Sequence, residues 1–301
     1  LPVYGSPYAV TPELDQWRRH TRIFASIYAN APNTNKTMFS LLCSRYPTPS
    51  YLLETQEHAD ARISSLSAIL SQRGYRTGMF YADDLRFGNA EGFLENRKFD
   101  AVNDYRTMGD GKPTCPSAEP MPFLDATDDQ QLGEATLAWI RSTAEEGRPF
   151  FAIMWTGQTH YPYFNMEPAQ PFEGVGEMQN RYLNAIRESD AVIGKILREL
   201  QEMGMLDSTL VVLVGDHGQA FGQHGQYGHG SRIYEENVRV PLLMIQPRLF
   251  SGEMDQTVGS MVDVAPTILH ILGLDLPADW QGRSLLAGNR SQRTYFLAPW
   301  S

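Results

Sequence analysis

The residues best suited to chemistry lie in one glycine-rich stretch, Val211 to Gly230 (VVLVGDHGQAFGQHGQYGHG). Asp216 and His217 directly follow an apolar run, and a carboxylate oxygen beside an imidazole nitrogen suits zinc or manganese. His224 and His229 follow, and the intervening glycines allow the backbone to fold tightly around a small site. We therefore predict a metal site at Asp216 and His217. The alternative is a glycine-rich surface loop with solvated histidines.

Hydroxyl groups occupy the predicted start of a helix in a second stretch, Asn30 to Pro47 (NAPNTNKTMFSLLCSRYP). A hydroxyl at this position can cap the helix. It can also act as a nucleophile when a metal or a base activates it. The local pattern alone favours capping by Thr34 or Thr37.

A third candidate, His160, lies just beyond the apolar run PFFAIMWT. The alternative is that His160 is a loop histidine with ordinary hydrogen-bond partners. The remaining histidines fall on helical patterns without chemical partners nearby, and we interpret them as surface or packing residues: His20, His58 and His270.

Apolar strand-like runs alternate with amphipathic helical patterns along the whole chain, which predicts an α/β fold with a mostly parallel central sheet sandwiched by helices. Ligand sites in such sheets gather at the carboxyl ends of strands, where Asp216 and His160 are expected. The main predicted strands are 22–29, 75–82, 149–156, 209–215 (as a central parallel strand) and 240–246. The main predicted helices are 34–43, 61–72, 128–146, 177–203 and 262–272.

Composition excludes several classes of function. The 301 residues carry 25 Lys and Arg against 35 Asp and Glu, a net charge of −10, which disfavours general nucleic-acid binding. No apolar run approaches the length of a membrane span. Cys43 and Cys115 are the only cysteines, and the sequence leaves open one disulfide or two free thiols.

Several segments, in the same order, resemble the sulfatase-type branch of the alkaline phosphatase superfamily, which includes sulfatases, lipoteichoic-acid synthases and phosphoethanolamine transferases. YGSPYAVTPELDQW resembles "TPNLDRLA", LLCSRYP resembles "LLTGRYP", and GYRTGMFYADD resembles "GYRTAFF". PFFAIMWTGQTHYPY resembles "PFFLYL…HxPY", and MLDSTLVVLVGDHGQAFGQHG resembles "LLDNTLVVFTSDHGExxGEHG". IYEENVRVPLLM and VDVAPTILHILGLDLPADWQGRSLL resemble the segments that follow.

The resemblance implies which residue is the nucleophile. Sulfatases use a Cys or Ser in C/S-x-P-x-R, which is oxidised to formylglycine, and the sequence around Cys43 does not fit that pattern. Aligning the family on Arg45-Tyr46-Pro47 places its nucleophile at Thr34. Threonine is not a known formylglycine precursor, but it is the nucleophile of the phosphotransferase members.

The same alignment assigns neighbouring positions. Lys36 replaces the family proline, Thr37 the family serine and Met38 the family arginine. His229 stands where sulfatases commonly carry lysine and phosphoethanolamine transferases carry histidine. We expect Lys36, Thr37 and His224 to bind substrate.

The implied reaction is metal-dependent hydrolysis or transfer of a phosphoryl group. Asp216, His217 and Thr34 would hold one divalent ion, zinc or manganese, with calcium as another candidate. Thr34 would attack phosphorus and form a phosphothreonine, while His160 and His229 steady phosphate oxygens or protonate the leaving group. A sulfuric-ester hydrolase and a catalytically inactive domain that binds lipid or a partner are the two rival functions.

The resemblance also implies the extent of the domain, the class of substrate and the cellular location. Family members open with a strand, "NVVLILxxS", whose end supplies a further acidic metal ligand, so we expect residues 1–301 to be one catalytic domain that is incomplete at both ends. The substrate is expected to be a phosphate or sulfate ester, such as a lipid head group or a glycan. The segments 88–124 and 165–177 should shape its pocket. The expected location is periplasmic or extracellular, with any membrane anchor outside this chain.

Overall fold

The computed structural model describes residues 1–116, 125–230, 232–288 and 292–297. The strands are β1 (Thr21–Tyr28), β2 (Arg76–Tyr81), β3 (Ala101–Asn103), β4 (Phe150–Trp155), β5 (Val211–Val214), β6 (Ala220–Phe221), β7 (Tyr227–Gly228), β8 (Arg239–Ile245) and β9 (Met254–Ser260). The α-helices are α1 (Pro12–Gln16), α2 (Thr34–Cys43), α3 (Glu54–Glu57), α4 (Leu66–Gln72), α5 (Ala90–Glu95), α6 (Asp129–Glu145), α7 (Glu177–Glu202), α8 (Glu235–Val238) and α9 (Val264–Ile271).

The strands form two larger sheets and one short hairpin. One sheet has the order β3-β2-β4, and its strands are all parallel. The other has the order β5-β8-β1-β9, in which β1 and β9 are parallel while β8 runs antiparallel to both β1 and β5. β6 and β7 pair only with each other among the described strands.

Helices cover both faces of these sheets, because alternate strand residues point in opposite directions. Val211 and Leu213 of β5 pack with α6 and α7. Val212 and Val214, between and after them, pack instead into the cluster that contains β1 and α9. The α/β class predicted from the alternating pattern is therefore confirmed. Among the described residues, none of the helices combines the length and the apolar character that a membrane span requires.

The position of β5 differs from the prediction of a central parallel strand. β5 lies at the edge of its sheet, and its described partner, β8, is antiparallel. The reason is spatial: a cavity of about 1300 Å³ separates β5 from β4, the edge strand of the other sheet. The apolar run was read correctly as a strand, but its pairing depends on distant segments that the local sequence does not report.

The first turn of α2 is stabilised by a side-chain cap. The Asn33 side chain accepts hydrogen bonds from the backbone N–H groups of Asn35 and Lys36. These N–H groups have no partner within the helix itself. Asn33 therefore fixes the start of α2, and with it Thr34, the first residue of the helix.

Replacing this cap should destabilise the protein measurably. We expect Asn33→Ala to lower the free energy of unfolding by about 1 kcal/mol, because two backbone donors lose their acceptor. Asn33→Asp keeps a capping oxygen and should stay close to the parent. Urea denaturation followed by circular dichroism measures both variants, and equal stability of parent and Asn33→Ala would contradict the assignment.

Candidate active site at the carboxyl ends of the strands

Three side chains from distant parts of the chain meet beyond the end of β5. The Thr34 hydroxyl donates a hydrogen bond of 2.8 Å to Asp216 Oδ2 and lies 3.2 Å from His217 Nε2. Asp216 Oδ2 and His217 Nε2 are themselves 3.4 Å apart. The three residues that we predicted as metal ligands thus form one triangle of donor atoms.

The first turn of α2 holds this triangle together. Thr37 Oγ1 donates to the backbone oxygen of Asp216 at 2.8 Å, one helical turn beyond the contact of Thr34 with the same residue. Neither threonine hydroxyl caps the helix, because Asn33 performs that task. The reading that local sequence favoured, capping by Thr34 or Thr37, is therefore wrong, and both hydroxyls are directed to Asp216.

The chemistry of this donor set fits a small divalent ion. Three ligands at about 2.0–2.1 Å from a tetrahedral metal are separated from one another by roughly 3.3 Å. The edges of the Thr34–Asp216–His217 triangle, 2.8, 3.2 and 3.4 Å, are close to that value. Within the described ranges, no group of three His, Cys, Asp or Glu side chains is arranged to hold a metal.

Two further imidazoles join His217. The His229 ring lies 4.1 Å from the His217 ring between centroids, and the His160 ring lies 6.0 Å from the His229 ring. His160 and His229 line the same cavity as Thr34. The structure therefore brings together the three residues predicted as catalytic.

All three imidazoles are held in one tautomer. In each ring Nδ1 faces an acceptor oxygen and so carries the proton, which leaves the lone pair on Nε2. The contacts are 3.0 Å from His217 to Gly218 O, 2.8 Å from His229 to Gln219 Oε1, and 2.8 Å from His160 to Tyr161 O. Nε2 is the nitrogen with which His217 faces Thr34 and Asp216, as a metal ligand requires.

Burial keeps two of these rings neutral in the free protein. Burial, together with the neighbouring His217 and His160, lowers the pKa of His229 to about 3. Burial likewise lowers the pKa of His160, while its hydrogen bond to the Tyr161 carbonyl opposes the shift. His160 and His229 therefore present neutral imidazoles to the pocket.

The sequence analysis missed two residues of this site. Asp83 follows β2 and lines the cavity, and burial, together with the nearby Asp129 and Asp216 carboxylates, raises its pKa to about 7. Gln219 links His229 to the buried Tyr163 through a 2.6 Å hydrogen bond to the tyrosine hydroxyl. The rule used for Asp216, an acid directly after an apolar strand, would have found Asp83.

Two residues predicted to bind substrate are engaged elsewhere. Lys36 is buried, and its ammonium donates to Thr48 O at 2.8 Å and pairs with Glu54 at 3.1 Å. His224 is exposed, pairs with Glu236 at 2.7 Å and stacks on Tyr234. Neither lines the cavity, whereas Thr37, the third residue of that prediction, does.

The cysteines are free thiols, which answers the question that the sequence left open. Cys43 is buried on the far end of α2, and burial raises the pKa of its thiol to about 11. Such a thiol is a poor nucleophile at neutral pH. The buried environment of Cys43 agrees with the sequence pattern, which does not favour this cysteine as the nucleophile.

The described parts of the two predicted pocket loops do not line the cavity. The segment 165–177 packs against the start of α7, where Asn180 and Asn184 accept hydrogen bonds from the backbone of Phe172 and Gln170. Residues 117–124 of the other loop lie outside the described residues.

Comparison with known proteins identifies the family. The model of the Sulfatase family matches residues 1–274. This chain belongs to the sulfatase family. The predicted branch of the superfamily is confirmed.

This sulfatase-family chain is similar both to sulfatases and to a lipoteichoic acid synthase-like protein. It is 23% identical to arylsulfatase K of Xenopus laevis over 91% of this chain and 61% of that protein. It is 24% identical to the lipoteichoic acid synthase-like YvgJ of Bacillus subtilis (strain 168) over 94% of this chain and 46% of that protein. The chain thus spans about half to three fifths of these relatives.

A solved structure supports the fold. A protein of the alkaline phosphatase superfamily from Vibrio parahaemolyticus superposes with a TM-score of 0.79 at 19% identity, covering 96% of this chain and 67% of the other. The similarity confirms the alkaline-phosphatase-like architecture that the sequence predicted.

Gly218 is the position where the site depends on the absence of a side chain. A Cβ atom there would collide with the backbone carbonyl of Glu236. Since Gly218 also provides the carbonyl that orients His217, we expect Gly218→Ala to displace that ring and weaken Zn²⁺ or Mn²⁺ binding by at least about tenfold.

Calorimetric titration of each metal measures this loss. Gly176→Ala is the matched control, because a Cβ at Gly176 meets open space and should leave the affinity unchanged. Equal affinities for the two variants would show that His217 is not held as described.

Proposed function

We propose that this chain carries the catalytic centre of a metal-dependent phosphoryl hydrolase or transferase, with Thr34 as the nucleophile. One observation supports this most strongly. The Thr34 hydroxyl lies within 2.8 Å of Asp216 and 3.2 Å of His217, at the position that the family reserves for its nucleophile. Family members carry Cys, Ser or Thr at this position, and this chain carries threonine.

Side-chain chemistry favours phosphoryl over sulfuryl transfer. Oxidation of a cysteine or serine side chain gives the aldehyde of formylglycine, whereas the secondary alcohol of Thr34 could give only a ketone. Thr34 is therefore suited to act as an unmodified alcohol. It would form an ester with the transferred group, which a second nucleophile then cleaves.

The reaction would proceed in two steps. Thr34 Oγ1 attacks phosphorus as the bond to the leaving oxygen breaks, and that oxygen takes a proton from the solvent. The Thr34 proton has an acceptor in Asp216 Oδ2, to which it is already hydrogen-bonded. Water or an acceptor alcohol then attacks the phosphothreonine and restores the Thr34 hydroxyl. His160 and His229 line the same pocket, and each would take up a proton on Nε2 before it donates a hydrogen bond to an oxygen of the transferred group.

Asp216, His217 and Thr34 are the residues that would hold the metal. A divalent ion bound there acts as a Lewis acid and lowers the proton affinity of the Thr34 hydroxyl. One carboxylate, one imidazole and one hydroxyl favour zinc or manganese, with calcium as a further candidate. The Nδ1 hydrogen bond of His217 to the Gly218 carbonyl prepares this ligand for the metal.

The substrate class and location follow from relatives and charge. YvgJ is named as lipoteichoic acid synthase-like and arylsulfatase K as a sulfatase, so we propose a phosphate or sulfate ester, such as a lipid head group or a glycan. The net charge of −10 disfavours nucleic acid as the substrate. We place the protein in the periplasm or outside the cell, with any membrane anchor outside residues 1–301.

Substitution of Thr34 tests the proposed nucleophile. In the full-length protein, we expect Thr34→Ala to reduce kcat for p-nitrophenyl phosphate about a thousandfold or more, because the ester intermediate cannot form. Thr34→Ser should retain a measurable fraction of the activity. Cys43→Ser is the control with unchanged turnover, and circular dichroism verifies folding. Undiminished kcat in Thr34→Ala would overturn the proposal.

Sulfate ester hydrolysis is the second candidate function, because the first relative above is an arylsulfatase. Paired assays with p-nitrophenyl phosphate and p-nitrophenyl sulfate separate the two functions. We expect kcat/KM to be at least about tenfold higher for the phosphate. A preference for the sulfate, abolished by Thr34→Ala, would assign the same nucleophile to sulfuryl transfer instead.

A further inference from the structure

His229 differs from the two neighbouring histidines in the partner of its ring nitrogen Nδ1. The Nδ1 atoms of His217 and His160 face backbone carbonyl oxygens. A carbonyl oxygen can only accept a hydrogen bond, so these two rings keep a proton on Nδ1. The Nδ1 atom of His229 faces the side-chain amide of Gln219 at 2.8 Å instead. An amide can present either an acceptor oxygen or an N–H donor, so the partner of His229 is reversible.

The other end of the Gln219 amide also has a reversible partner. Gln219 Nε2 donates to the hydroxyl oxygen of Tyr163 at 2.6 Å, and a tyrosine hydroxyl can accept or donate. Half a turn of the amide exchanges its oxygen and its nitrogen at the same two positions. Both contacts then persist with the roles reversed: Tyr163 donates to Gln219, and Gln219 donates to His229.

Aromatic packing holds the Tyr163 hydroxyl beside this amide. The tyrosine is only 3% exposed. Three rings surround it at centroid distances of 5.9, 5.4 and 5.8 Å: those of Tyr161, Tyr182 and Phe221. The hydroxyl therefore stays within reach of Gln219 in either orientation of the amide.

The amide also departs from the family motif. The motif "DHGExxG" has a glutamate two residues after its histidine, whereas DHGQAFG has Gln219. An ionised carboxylate only accepts hydrogen bonds, so an imidazole beside it keeps a proton on Nδ1. Such a ring can donate from Nε2 only when it is positively charged. Beside Gln219, a neutral His229 can carry its proton on either nitrogen.

We propose, on the basis of the function proposed above, that Tyr163 and Gln219 are positioning residues that reverse the tautomer of His229 when the transferred group binds. The Nδ1 atom gives its proton to solvent water and Nε2 takes one up, so the charge of the ring does not change. Tyr163 then donates to Gln219 Oε1, and Gln219 Nε2 donates to His229 Nδ1. His229, which lines the pocket, becomes a neutral N–H donor to an oxygen of the transferred group.

Nitrogen-15 NMR of the histidine rings tests this inference, because protonated and bare ring nitrogens have well-separated chemical shifts. The zinc-loaded full-length protein is labelled at histidine, and inorganic phosphate is the probe. The signals that are lost in His229→Asn assign the ring. We expect phosphate to move the proton of His229 from Nδ1 to Nε2.

Two results would overturn the inference while the proposed function stands. In a protein whose His217 signals respond to phosphate, these are a His229 ring that keeps its proton on Nδ1 and a ring that is protonated at both nitrogens. If the signals of neither histidine respond, phosphate does not bind at this site, and the proposed function fails together with the inference.

Matched variants separate the relay from a merely structural role. Gln219→Glu should keep Nδ1 of the ring protonated with and without phosphate, because a carboxylate cannot donate. Tyr163→Phe should lose most of the phosphate-induced Nε2–H signal, whereas Tyr182→Phe removes a neighbouring hydroxyl and should resemble the parent. Equal spectra for these two Phe variants would overturn the role of Tyr163. The signals of His20 and His270, which do not line the cavity, verify folding.

Discussion

The candidate site depends on the hydrogen bonds between the first turn of α2 and Asp216. Thr34 binds the carboxylate of Asp216, and Thr37 binds its backbone oxygen. The two contacts join the start of a helix to the end of a strand more than 170 residues away in sequence. Asn33, which caps the helix, and Gly218, which permits the close approach of Glu236, both serve this junction.

Most helices and strands that have a recognisable cap or a periodic apolar pattern were predicted from the sequence. The bounds of α2, Thr34–Cys43, and nearly those of α7 follow from caps and apolar periodicity. Asp216, His217 and Thr34 were assigned through the strand end and the family motifs. The convergence of Thr34 on Asp216 could not be read from local sequence, which favoured helix capping.

What the sequence missed depends on contacts between distant segments. Lys36 was expected to bind substrate because its position matches a family motif, but Glu54 and the Thr48 carbonyl hold its ammonium. Asp83 follows β2 and could have been found by the rule used for Asp216, whereas the contacts of Gln219 with His229 and Tyr163 form only in the folded chain. The short helices α3 and α5 contain too few residues for a periodic pattern. The pairing of β5 likewise depends on β8, which lies outside the local sequence of β5.

Mass spectrometry of the Thr34 peptide tests the central claim most directly. The full-length, metal-loaded protein would be quenched with acid during turnover of p-nitrophenyl phosphate and then digested. Our account predicts a phosphoryl group on Thr34 that appears with substrate and disappears as the substrate is consumed. Steady turnover with Thr34 always unmodified, or with the phosphoryl group on another residue, would contradict it.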